Sequence, residues 1–87
     1  MKRVRIINKN RYDYTLEDDD NKKYVLNIEF YQAELNVGDY IYISDKVLKE
    51  KNLFAFGPLT EDKNIIEDDI IKVVQGNKEF YLQRYYG

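Results

Sequence analysis

Apolar and polar residues alternate with a period of two along much of the chain. Tyr12, Tyr14 and Leu16 alternate with Arg11, Asp13, Thr15 and Glu17, the pattern of a strand with one buried face. Tyr24, Leu26, Ile28 and Phe30 repeat it against Val25, Asn27, Glu29 and Tyr31. The polar run Asp18-Asp19-Asp20-Asn21-Lys22-Lys23 lies between them. It is too long for a two-residue turn, so residues 11–31 are expected to form an antiparallel hairpin with a longer connection. An earlier strand, Arg3 to Ile7, is expected to run into the first arm through a kink at Asn8-Lys9-Asn10.

Further along, Gly38-Asp39 is a turn signal and Tyr40-Ile41-Tyr42-Ile43 is β-branched and aromatic, which predicts another strand. Ser44 is placed to cap a helical turn or two over Asp45 to Lys51, with Asp45 favourable in the first turn. Leu53-Phe54-Ala55-Phe56 reads as a short strand stopped at Gly57-Pro58, because proline cannot donate to a ladder. Ile66, Ile70 and Val73 are at helical spacing, while Ile70-Ile71-Lys72-Val73-Val74 is a strand pattern that ends at Gln75-Gly76-Asn77. The preferred reading is a helical or irregular Thr60 to Asp69, then a strand, a turn and a final strand from Glu79 to Tyr86.

These elements make an all-β or mainly β protein: one small antiparallel barrel of five to seven short strands, with a single short helix around 45–51. A barrel closes its own edges, which is the economical solution at this length. The nine residues from Leu35 to Ile43 resemble the stretch leading into a core strand of OB-type and related small barrels, implying an OB-like or SH3-like fold. The 87 residues 1–87 are read as one domain with one small core. The 44% hydrophobic content and nearly balanced charge are those of a folded chain and not of a disordered one.

Composition narrows the chemistry. With no His, Cys or Trp, disulfides, Cys/His zinc sites and His-based catalysis are excluded. Ser44 is the only serine, and its nearest base is Lys46; capping explains it better than nucleophilic catalysis, and no catalytic residue is expected. Asp18-Asp19-Asp20-Asn21 offers hard oxygen ligands but lacks the glycine of a calcium-binding loop, so neither metal nor cofactor is expected. Lys, Ile, Tyr and Asn account for 36 of 87 residues, an A/T-rich codon bias consistent with a low-GC genome. The basic Met1 to Arg11 segment has no apolar run of leader length and no stretch spans a bilayer, so a cytoplasmic location without membrane contact is expected.

Charge along the chain is more informative than the net value of −2. Residues 1–12 carry five bases and no acid, residues 13–71 carry six bases and fifteen acids, and residues 72–87 carry three bases and one acid. If the first and last strands are neighbours, the molecule has a basic face and an acidic face. Alternation sends Tyr40, Tyr42, Tyr81 and Tyr85 outward, beside Lys2, Arg3, Arg5, Arg11 and Arg84. The acidic counterpart is Asp18, Asp19, Asp20, Glu67, Asp68 and Asp69.

Exposed Tyr and Arg are favoured anchors of protein interfaces. The leading expectation is therefore a non-enzymatic binding or regulatory module with a protein partner. A first alternative is single-stranded nucleic acid bound by the basic, Tyr-rich terminal strands, with rings stacking on bases and cations tracking phosphates. A second is an acidic inhibitor that mimics nucleic acid. The acidic middle of the chain repels phosphate, which ranks protein first.

Overall fold

The computed structural model describes residues 1–11, 13–29, 35–61 and 71–84. Its elements are β1 (Lys2–Lys9), β2 (Asp13–Glu17), β3 (Lys23–Glu29), β4 (Tyr40–Ile43), α1 (Asp45–Leu48), β5 (Asn52–Thr60), β6 (Ile71–Gln75) and β7 (Lys78–Arg84). The strands close into a barrel in the order β1-β2-β3-β5-β7-β6-β4, with β4 returning to pair with β1. The small β-barrel read from the alternation is thus the fold, with seven strands, but it is mixed where the alternation predicts an antiparallel one. Among the described residues the β3–β5 pairing is the parallel one, made possible because β4 and α1 intervene between those strands in the chain.

Val4, Ile6, Leu16, Leu26, Ile41, Ile43, Leu53, Ile71, Val73 and Leu82 point inward and are fully buried. Each such side chain contributes roughly 1.5–3 kcal/mol by leaving water, so the closed ring of alternating strands is its own core. Val47 and Leu48 of α1 add to it, and Ser44 accepts a hydrogen bond from the Val47 N–H at 3.4 Å, as expected of the cap.

Three local expectations are corrected. Arg3–Ile7 does not run on into the first arm: β1 reverses after Asn10 and pairs antiparallel with β2, the kink being a bulge between Ile6 and Asn8. Gly57-Pro58 does not stop β5, which continues to Thr60; the ladder to β7 shifts register between Phe56 and Thr60 instead, which accommodates a residue without an N–H. Thr60 therefore belongs to a strand, and residues 62–69 lie outside the described residues. The β6–β7 turn has positive φ at Gly76 alone of its two corner residues, matching a type II′ hairpin.

The 36–39 turn locks β4 to the rest. Gly38, at φ +99°, donates its N–H to Ile6 O, and the Ile6 N–H donates to Asp39 O. Asp39 Oδ2 accepts from the Asn36 N–H and from Gln75 Nε2, tying the turn to β6.

Candidate functional site

The register sorts the basic residues of β1 by phase. Val4 and Ile6 face the core, so Arg3 and Arg5 face outward, opposite Tyr42 and Tyr40 of β4. Tyr42 is in turn opposite Lys72 of β6, and Tyr40 opposite Val74. Arg3, Arg5, Tyr40, Tyr42 and Lys72 thus share one outer face across three adjacent strands. The Arg3 guanidinium lies 4.7 Å from the Tyr40 ring centroid and the Lys72 ammonium 4.9 Å from that of Tyr42, both within cation–π range. Lys72 is also 3.1 Å from Glu79, whereas neither Arg3 nor Arg5 is in an ion pair with a described residue. Tyr40 is 40% exposed. An open cleft of about 230 Å³ adjoins the face, lined by Arg3, Arg5 and Tyr40 on one side and Glu17, Asp19 and Asn21 on the other.

Several expected members are elsewhere. Lys2 is in phase with Val4 and Ile6, paired opposite Ile43, and its ammonium lies 3.5 Å from Asp18. Arg11 is exposed in the β1–β2 turn, at the far end of β1 from Arg3. Tyr81 is outward by register, opposite Lys72 and Thr60, yet only 8% exposed; alternation settles which face a ring takes and not how much of it is covered. Arg84 ends β7 opposite Ala55, and its side chain is not among those described; Tyr85 lies outside the described residues. The face is not built from the first and last strands, because β4 and β6 separate β1 from β7. Lys72 is the member that sequence reasoning missed, although its place between Ile71 and Val73 signals an outward side chain.

The acidic cluster also divides. Asp19 and Asp20 are exposed, but Asp18 is 5% exposed and its side chain is fully covered. Asp18 Oδ1 accepts from the Asp20 and Lys22 N–H groups, each at 2.9 Å, and Oδ2 accepts from the Tyr24 hydroxyl at 3.0 Å, with Lys2 Nζ 3.5 Å away. Burial pushes this carboxyl up; the bonds from Lys22, Tyr24 and Asp20 and the charge of Lys2 outweigh it and hold the group below the usual carboxylate range. Asp18 raises the Lys2 ammonium in return, against the opposing effect of desolvation. Desolvation first, then the hydrogen bond to Asp18, raises the Tyr24 phenol. Asp18 is therefore a turn anchor, which removes it from an acidic surface; Glu67, Asp68 and Asp69 lie outside the described residues.

Among the described residues no helix is long and apolar enough to cross a membrane, and no three carboxylates converge as a metal site. Comparison with protein-family models, with curated proteins and with solved structures finds no match for this chain.

Proposed function

We propose that this chain is a non-enzymatic, cytoplasmic binding module that contacts another protein through the outer face of β1, β4 and β6. The observation that carries this reading is the Arg3 guanidinium held over the exposed Tyr40 ring, next to an Arg5 without an ion-pair partner among the described residues. Rings and guanidinium groups are the side chains that dominate interface energies. Cations already stacked on rings have less conformational freedom left to lose on association. Both signs of charge line the adjoining cleft, because Glu17 and Asp19 face Arg3 and Arg5. That mixture suits a polar protein segment and opposes a phosphate backbone, whose affinity depends on uncompensated cations.

The test is capture of a partner from cells by the tagged chain. A stoichiometric protein is expected that is lost with Tyr40→Ala and with Arg3→Ala, is kept with Asp20→Ala, and is not displaced by a single-stranded oligonucleotide. Steeply salt-dependent binding of a labelled oligonucleotide, with no protein captured, would support nucleic acid instead and overturn the proposal.

A further inference from the structure

A second cleft, of about 430 Å³, opens at the barrel end beside α1, lined by Lys2, Lys22, Tyr24, Asp45, Leu48 and Lys49. Its charge is unlike that of the whole chain: three ammonium groups and one carboxylate line it, in a protein whose net charge is −2. From these observations we infer that this cleft binds a small organic phosphate monoester.

The size and chemistry of the lining define the ligand. A volume of about 430 Å³ is that of a small-molecule site and is larger than inorganic phosphate requires. Lys2 is compensated by Asp18, so Lys22 and Lys49, neither in an ion pair with a described residue, are the two cations that meet a phosphate monoester, which carries about −1.5 to −2 at neutral pH. Leu48 and the Tyr24 ring offer apolar surface for the organic part, and Asp45 can accept a hydrogen bond from a ligand hydroxyl.

The Lys2 ammonium and the backbone that carries Lys22 and Lys49 are also positioned in advance. Asp18, buried against Lys2 and Tyr24, holds Lys2 by an ion pair at 3.5 Å and the Lys22 backbone by its N–H at 2.9 Å. The same carboxylate takes the Tyr24 hydroxyl, fixing that ring at the cleft wall. Leu48 and Lys49 are set by α1, whose start is capped by Ser44 and whose end is bonded from the Lys49 N–H to Asp45 O. One buried acid and one capped turn thus orient groups from β1, the β2–β3 connection and α1 around a common opening. The two clefts share no lining residue, although Asp18 borders the Arg3–Tyr40 cleft, and the site does not depend on the reading of that face.

The experiment is an NMR titration of the isotope-labelled chain with phenyl phosphate, run beside benzyl alcohol and beside vesicles of phosphatidic acid in phosphatidylcholine. Phenyl phosphate is expected to give saturable shifts confined to Lys2, Lys22, Tyr24, Asp45, Leu48 and Lys49, and benzyl alcohol none. The double variant Lys22→Ala/Lys49→Ala changes two exposed side chains and keeps the fold, verified by an unchanged core spectrum. It should weaken binding at least about tenfold, as loss of two charge-assisted contacts implies. Absence of saturable shifts up to about 10 mM, a range that detects even weak affinity, overturns the proposal. So does binding unchanged in the double variant, or binding to the vesicles in place of phenyl phosphate.

Discussion

Charge is used in opposite ways at the outer face of β1, β4 and β6 and at the barrel end below it. On the outer face, Arg3 and Lys72 rest on tyrosine rings at the surface, and Arg5 projects beside them. At the barrel end Asp18 is enclosed and bonded to two backbone N–H groups, a phenol and an ammonium. The first arrangement leaves Arg3 and Arg5 accessible and adds little to stability, because exposed charges are well solvated. The second is internal: a buried carboxylate is tolerated only when its oxygens are fully satisfied, and removing it strands its donors. Two charged residues adjacent in the chain, Lys2 and Arg3, fall on opposite sides of this division because strand phase separates them.

The largest effect expected from breaking this contrast is that of Asp18→Ala. It leaves the Asp20 and Lys22 N–H groups and the Tyr24 hydroxyl without their acceptor, and denaturant unfolding should register a greater loss than for Asp19→Ala, Asp20→Ala or the cap variant Ser44→Ala, itself about 1 kcal/mol. A loss no greater than that of Asp20→Ala would dissolve the distinction. Tyr40→Ala should do the reverse: partner binding weakens by about 2 kcal/mol, as for an interface anchor, while unfolding stability stays within about 0.5 kcal/mol. Gly38→Ala probes the turn that holds β4 against β1. No atom obstructs a Cβ there, so the φ of +99° alone sets a cost of about 1–2 kcal/mol, readable in the unfolding midpoint.

The smallest effect concerns pH. Asp18 is lowered on folding, so its contribution is present above the ordinary carboxylate range and is lost as pH falls through its folded value. Lys2 and Tyr24 are raised, so theirs is present below their ordinary ranges and lost as pH rises. With no histidine in the chain, unfolding stability should be flat between about pH 6 and pH 9. Asp18→Asn should shrink the acid limb more than Asp20→Asn does.

Much of this was legible in the sequence. The alternation through Tyr14, Leu16, Tyr24, Leu26 and Ile28 assigns the inner face correctly, and Tyr40 and Tyr42 are outward as their flanking isoleucines imply. The fate of Asp18 was also encoded: it continues the inward phase of Tyr14 and Leu16, as Lys2 continues that of Val4 and Ile6. An acidic triplet draws attention to composition and hides that phase. The parallel β3–β5 pairing and the β4–β6 neighbourhood depend on which strands meet after long excursions of the chain, and local pattern does not specify that. Tyr81 takes the outward face by register yet is covered, because alternation carries no information about what packs over a face.

The central claim is that the partner reads the Arg3–Tyr40 face and leaves the cleft beside α1 untouched. The most direct measurement is the footprint of the captured partner on the isotope-labelled chain, followed residue by residue by NMR. Signals of Arg3, Arg5, Tyr40, Tyr42 and Lys72 are predicted to broaden or shift, with those of Asp20, Lys22 and Lys49 unchanged. A footprint centred on the β2–β3 connection and α1, with Tyr40 and Tyr42 unaffected, would contradict the account.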